Sequence, residues 1–114
     1  MGEQIQVNGS CHCGVTSYAI DGEMIKKSHC ACPACQKATG SDKAAFVTVD
    51  ASSLTFTGKE PASFKNEGGV DCDKYGYWRY CAECGSRILW LPNEGDQRDI
   101  LAGTLADITI FTEN

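Results

Sequence analysis

The chain has 114 residues, eight of them cysteine, and a formal net charge of −5, so we expect one compact domain over residues 1–114. The acidic balance excludes a nucleic-acid surface, which is normally basic, and no apolar stretch approaches the ~20 residues of a membrane-spanning helix. Because the segment Met1 to Gln6 lacks the basic and apolar regions of a signal peptide, the sequence predicts a cytoplasmic protein that binds neither nucleic acid nor membrane.

Short strands separated by turn residues dominate the first part of the chain. Glu3 to Val7 and Gly14 to Ile20 alternate between apolar and polar residues, which predicts a strand pair joined by a turn at Asn8-Gly9. Asp21-Gly22 predicts the next turn, and the chain then runs back as a strand from Met24 to His29.

The segment Pro33 to Thr39 is the best helix candidate. Proline suits a first helical turn, Ala and Lys favour the interior, and Gly40 suits the C-terminal cap. The other predicted elements are strands at Ala44 to Val49, Leu54 to Thr57, Ser63 to Lys65, Tyr77 to Tyr80, Arg87 to Leu91 and Ile100 to Gly103, with loops at Glu67-Gly68-Gly69 and Tyr75-Gly76. Many short strands with glycine-rich turns and one short helix predict a mainly β fold.

Seven of the eight cysteines fall into three tight clusters, which are Cys11-His12-Cys13, Cys30-Ala31-Cys32-Pro33-Ala34-Cys35 and Cys81-Ala82-Glu83-Cys84. A structural zinc site needs four donors at about 2.3 Å, and short turns of this kind supply donors in pairs. Disulfide frameworks belong to secreted chains, and neighbours such as Cys11 and Cys13 bridge poorly, so metal binding is favoured. Cys72 lies between two aspartates that disfavour its thiolate, so we interpret it as a bystander.

The first and third clusters each supply only two cysteines. Together, Cys11, Cys13, Cys81 and Cys84 make a four-thiolate set that predicts a structural zinc closing a long loop. The middle cluster of Cys30, Cys32 and Cys35 has one donor fewer, which is typical of zinc with an open fourth position for a water or an incoming thiolate. Two alternatives stay open: His29 or His12 completes a second closed site, or the three thiols remain reduced and empty.

Aromatic and cationic residues offer weaker signals. The aromatic residues around the third cluster are interpreted as core support more readily than as pocket walls; they are Tyr75, Tyr77, Trp78, Tyr80 and Trp90. Phe46, Phe56 and Phe64 occupy strand positions and are predicted to be core. Lys26-Lys27 is interpreted as a solvated pair on a strand.

The cysteine clusters resemble those of the glutathione-dependent formaldehyde-activating enzyme family, which also includes centromere protein V. The resemblance runs from about Gly9 to Asp107. It rests on four segments: Cys11-His12-Cys13-Gly14, the run from His29 to Gly40, the run from Tyr80 to Ser86, and Ala102-Gly103-Thr104-Leu105. It implies an Mss4-like fold of several small antiparallel β-sheets, with zinc knuckles and one short helix.

The resemblance also implies an activity. The family's namesake reaction joins formaldehyde to glutathione, giving S-(hydroxymethyl)glutathione, and is of the carbon–sulfur lyase type. By this resemblance Cys11, Cys13, Cys81 and Cys84 hold a structural zinc, and Cys30, Cys32 and Cys35 hold a catalytic zinc. Two zinc ions per chain and a small thiol partner are therefore expected, and Lys37, Lys43 and Arg79 are the cations considered for an anionic tripeptide. The alternative function is a non-catalytic zinc scaffold that binds a protein partner, as the fold's namesake does with small GTPases.

Overall fold

A computed structural model describes residues 2–66 and 76–112, which form a mainly antiparallel β structure. Its strands are β1 (Glu3–Ser10), β2 (Thr16–Cys30), β3 (Ala44–Asp50), β4 (Leu54–Gly58), β5 (Ala62–Asn66), β6 (Gly76–Tyr80), β7 (Arg87–Pro92) and β8 (Gln97–Leu101). The helices are α1 (Pro33–Thr39) and the single turn α2 (Thr109–Thr112), and there are 3-10 turns at Ala51–Ser53 and Ala102–Thr104. The predicted mainly β fold is confirmed. Cys72, Tyr75 and the predicted loop Glu67-Gly68-Gly69 lie outside the described residues.

The strands hydrogen bond in one continuous path, β1-β2-β3-β8-β7-β6-β5, and β4 pairs with β2 outside that path. Every pairing in this part of the chain is antiparallel. The described strands form one eight-stranded sheet, whereas the resemblance implied several small sheets. The reason is β2, whose 15 residues pair with β1 and β4 in their first half and with β3 in their second.

Two predicted turns are wrong, because both lie inside strands. Asn8-Gly9 belongs to β1, where Gly9 lies opposite Tyr18, and the chain turns instead at the first cysteine cluster. A side chain at Gly9 would meet the Tyr18 ring, so this glycine permits a close approach rather than a turn. Gly22 lies opposite Ile5 within the β1–β2 ladder. Cross-strand pairing therefore overrides the local turn preference of both segments.

Helix α1 begins and ends at the predicted residues. Pro33 occupies its first turn, and Gly40 caps it with a φ of 70° while its N–H donates to the Gln36 carbonyl. The last predicted strand, Ile100 to Gly103, is only partly right. The strand ends at Leu101, and the next residues form a 3-10 turn closed by the Leu105 N–H. No helix in the described part of the chain is long and apolar enough to cross a membrane.

Buried side chains form two hydrophobic clusters. The main cluster lies between the long strands and consists of Ile5, Cys11, Tyr18, Ile20, Met24, Val47, Val49, Cys81, Ile88, Leu89, Ile100, Ala102 and Leu105. The second cluster consists of Cys35, Ala44, Phe46 and Trp78, with Cys30, Cys32 and Trp90 packed against it. The first and third cysteine clusters thus rest on one apolar support, and the middle cluster rests on another.

The predicted core aromatics divide into two kinds. Phe46 is buried and Phe56 packs against the main cluster, as expected. Phe64 was wrongly predicted, because it is 52% exposed and its ring faces the Arg87 guanidinium at 5.8 Å. A cation stacked over an exposed ring compensates in part for the apolar surface left in water.

Candidate metal centres and the adjoining cavity

The first and third cysteine clusters form two similar turns. The Cys11 N–H donates to the Thr16 carbonyl at 3.0 Å, and the Cys81 N–H donates to the Ser86 carbonyl at 2.9 Å. The glycine that follows each cluster has a left-handed φ, 82° in the first and 81° in the third, which favours glycine at both positions. The two turns contact each other directly, because the His12 N–H donates to the Ser86 hydroxyl at 2.9 Å.

These turns bring four sulfur atoms together. The sulfurs of Cys11, Cys13, Cys81 and Cys84 all lie within 4.8 Å of one another. The distance from Cys11 to Cys13 is 3.6 Å and that from Cys13 to Cys81 is 3.8 Å. Tetrahedral zinc with ~2.3 Å bonds spaces its sulfur ligands about 3.8 Å apart. None of the seven described cysteines is in a disulfide, so this donor set fits a closed zinc site.

Backbone amides point at the sulfurs of this group. The Thr16 N–H donates to the Cys11 sulfur at 3.5 Å, and the Glu83 N–H donates to the Cys81 sulfur at 3.4 Å. Burial opposes ionisation of Cys11, but the Thr16 amide and the thiols of Cys13 and Cys81 hold its pKa below the ordinary value. Such N–H···S bonds favour the thiolate form that a metal requires.

The four thiols nevertheless cannot all ionise by themselves. The Ser86 hydroxyl and amide lower the pKa of Cys84 to about 5. At Cys13 the Val15 amide acts in the same direction, but desolvation and the neighbouring thiols raise the pKa to about 12. Thiolates this close repel one another, so ionisation of one suppresses that of the next. A bound divalent cation removes this conflict, which is a second reason that the group fits zinc.

The middle cluster brings three more sulfurs together. Cys30 ends β2, Cys32 is the residue that precedes α1, and Cys35 lies in the first turn of that helix. Their sulfurs lie within 4.8 Å of one another, and the Cys30 and Cys32 sulfurs are 3.3 Å apart. Burial and the two neighbouring thiols raise the pKa of Cys35 far above its ordinary value. This group also needs a cation before all its members ionise.

Among the described residues, neither histidine nor any carboxylate belongs to the three-thiol group. Successive residues of a strand point to opposite faces, so His29 faces away from Cys30. Its ring packs edge-on against Phe111, with 5.2 Å between the ring centroids. His12 belongs to the turn of the other thiol group. The closed-site alternative that the sequence left open is therefore not formed in this geometry.

A cavity of about 240 Å³ adjoins the three thiols, which line one end of it. The other walls come from the sheet and include Lys26, Ser28, Phe46, Trp90 and Asp99. Trp78 is buried beneath Phe46, as expected of core support, whereas Trp90 is only half-buried and faces the cavity. The open side of the three-thiol group thus meets a pocket with aromatic and charged walls.

The cation in this cavity is not one that the sequence suggested. The candidates Lys37, Lys43 and Arg79 do not line it, and Arg79 instead pairs with Glu60 at 3.3 Å. Lys26, interpreted from the sequence as a solvated residue, does line it. The sequence feature that could have placed Lys26 in the cavity is the two-residue period of β2. Lys26 lies four residues before Cys30, so the two side chains share one face of the strand.

Comparison with known proteins identifies a family and a similar fold. The chain matches the model of one family, described as glutathione-dependent formaldehyde-activating enzyme, over residues 6–113. The crystal structure of a Rhodobacter sphaeroides protein, a structural-genomics target, is similar, with a TM-score of 0.66 at 17% sequence identity over 87% of each chain. This likeness shows a shared fold. No curated protein matches the chain.

Proposed function

Because the chain belongs to the glutathione-dependent formaldehyde-activating enzyme family, we propose that it joins a small thiol, such as glutathione, to formaldehyde. The reaction is of the carbon–sulfur lyase type and gives an S-hydroxymethyl thiol. The observation that supports it most is the group of Cys30, Cys32 and Cys35, which opens on a cavity and has no fourth protein ligand within the described residues. A three-ligand site with an open position is the usual arrangement of catalytic zinc.

The two thiol groups take different roles in this proposal. Cys11, Cys13, Cys81 and Cys84 hold a structural zinc, and Cys30, Cys32 and Cys35 hold a second zinc at the cavity. Zinc bound at the second group would lower the pKa of an incoming thiol and present its sulfur as the nucleophile. The three cysteines fix the direction of that open position, because two of them are anchored on α1 or its cap and the third on β2.

The cavity walls provide the remaining groups. One carbon–sulfur bond forms, the carbonyl double bond becomes a single bond, and the thiol proton ends on the former carbonyl oxygen. Ser28 has a hydroxyl in the cavity that can donate to this oxygen as negative charge develops on it. Phe46 and Trp90 cover the apolar side and reduce the access of water to the reacting carbon.

The proposal is tested by the rate at which free formaldehyde exchanges with S-(hydroxymethyl)glutathione at equilibrium, measured by NMR exchange spectroscopy. Thiol addition to formaldehyde also proceeds without an enzyme, so the rate without protein is the baseline. We expect exchange to accelerate in proportion to the concentration of zinc-loaded protein. No acceleration would contradict the proposal and favour the scaffold that binds a protein partner.

A pair of cysteine variants separates the two thiol groups. Cys84→Ser should lower the melting temperature by about 10 °C or more. The reason is that a structural zinc contributes several kcal/mol to stability, and the loss of each kcal/mol lowers Tm by roughly 4–8 °C. Cys32→Ser should abolish the accelerated exchange with less than half that loss of stability. Circular dichroism melts and the NMR exchange rate measure the two effects. Equal destabilisation by both variants would contradict a separate reactive site.

A further inference from the structure

A row of side chains crosses the sheet at the end of the cavity away from the thiols. Lys26 of β2 lies opposite Thr48 of β3, and Thr48 lies opposite Asp99 of β8. Directly opposed residues of antiparallel strands point to the same face. Lys26 and Asp99 both line the cavity. The cavity therefore has one cation and one carboxylate on the same face of the sheet, with Thr48 between them, and Lys26 lies four residues along β2 from Cys30.

The two charged groups are held differently. Thr48 is buried, and its hydroxyl donates to the Asp99 carboxylate with an oxygen–oxygen distance of 2.5 Å, which fixes that carboxylate. Lys26 makes no hydrogen bond or ion pair with any residue of 2–66 or 76–112. The two residues lie two strands apart, so their backbones are about 10 Å from each other. This spacing leaves room for a small group that carries both charges.

We propose that Lys26 and Asp99 recognise the carboxylate and the ammonium of an α-amino-acid head on the thiol substrate. The inference rests on the proposed function, because it places the substrate sulfur at Cys30, Cys32 and Cys35. Four residues of strand separate Cys30 from Lys26, about 13 Å between backbones. Free cysteine is too short for this span, whereas a γ-glutamyl thiol carries its amino-acid head several bonds from the sulfur. Glutathione, the thiol of the proposed function, is of this kind, and the inference assigns the residues that recognise its amino-acid head.

The experiment is isothermal titration calorimetry of the zinc-loaded full chain with glutathione and two analogues of equal length. Glutaryl-cysteinylglycine lacks the ammonium, and 4-aminobutyryl-cysteinylglycine lacks the α-carboxylate. Lys26→Ala should weaken glutathione binding about fivefold, the upper range for a partly exposed ion pair. Asp99→Asn should have a similar effect, and because its side-chain oxygen still accepts from Thr48, the fold is preserved.

The test compares how each variant changes the affinity for each of the two analogues. Lys26→Ala should weaken glutaryl-cysteinylglycine but not the aminobutyryl peptide, and Asp99→Asn should do the reverse. The matched control is Lys27→Ala, since Lys27 lies opposite the buried Val47 on the other face of β2 and should leave all three affinities unchanged. Equal effects of Lys26→Ala and Lys27→Ala, or a loss of aminobutyryl-peptide affinity in Lys26→Ala, would overturn the assignment.

A neutral thiol separates this inference from the function on which it rests. One outcome would be that the wild type accelerates formaldehyde exchange with 2-mercaptoethanol and glutathione equally, and that Lys26→Ala leaves glutathione affinity unchanged. In that case the assignment of Lys26 and Asp99 is wrong, while the proposed reaction stands. If no thiol binds to the zinc-loaded wild type and no exchange is accelerated, both are wrong. Selective binding of glutathione that is lost in Lys26→Ala supports both.

Discussion

Tyr18 joins distant parts of the chain through one buried hydroxyl. The residue is 1% exposed, and its hydroxyl donates to the Thr104 hydroxyl at 2.6 Å, which in turn donates to the Leu101 carbonyl at 2.8 Å. Burial raises the pKa of Tyr18 to about 12, so the phenol is neutral and remains a donor at neutral pH. This bond explains the threonine of the Ala102-Gly103-Thr104-Leu105 segment as structural.

Removal of this hydroxyl tests its contribution. Tyr18→Phe should lower the free energy of unfolding by about 1 kcal/mol, since the net value of a buried hydrogen bond is of that size. The control is Tyr77→Phe, because the half-buried Tyr77 makes no hydrogen bond from its hydroxyl within the described residues, and its loss should cost under about 0.5 kcal/mol. Urea denaturation measures both variants. Equal costs would show that the Thr104 bond stabilises nothing.

At the residue level, the sequence predicts the thiol groupings far better than the cavity. Metal donors need fixed spacing in short turns. The approach of Cys11 to Cys13 and of Cys81 to Cys84 can therefore be predicted from the sequence. The position of Lys26 depends instead on which strand faces it. Only the register between β2, β3 and β8 places Lys26 in one row with Thr48 and Asp99.

At the scale of elements, the sequence predicts the bounds of a helix or strand correctly where those bounds depend on the residue's own backbone. Pro33 and Gly40 mark the ends of α1 because both residues act on their own backbone. The long strand β2 was predicted as two strands with a turn at Asp21-Gly22 between them. Gly22 pairs with Ile5 instead, and a side chain on it would meet Ser53, a contact that no local pattern reveals.

The cap of α1 supplies a prediction at this scale. Gly40→Ala should destabilise the protein by about 1 kcal/mol, because alanine at a φ of 70° is strained. Gly103→Ala is the control, since Gly103 is not among the positive-φ glycines and no atom lies within 4 Å of the position of its added Cβ. Thermal melts compare the two. A loss in Gly103→Ala as large as that in Gly40→Ala would contradict the role of the cap.

At the scale of the whole molecule, the four-thiol group connects the start of the fold to its last third. Cys13 and Cys81 are 68 residues apart in sequence, yet their sulfurs lie 3.8 Å apart. The main hydrophobic cluster includes Cys11 and Cys81, so a metal at this group crosslinks the core itself. We propose that residues 1–114 unfold as one domain whose stability depends on this crosslink.

Metal removal tests that dependence. Chelation of reduced protein should lower the melting temperature, because the closed loop is released and four thiols are left close together without a cation. Addition of zinc in excess of the chelator is the control and should restore the original melting temperature. A melting temperature that ignores removal of all metal would contradict a structural zinc at Cys11, Cys13, Cys81 and Cys84.

The most direct test of the account is the zinc content of freshly purified, reduced protein, measured by elemental analysis with thiol titration and repeated after addition of glutathione. We expect two zinc ions per chain, one of them labile or perturbed by glutathione, and one remaining in Cys32→Ser. One tightly held zinc that glutathione does not affect would contradict an open thiol-activating site at Cys30, Cys32 and Cys35.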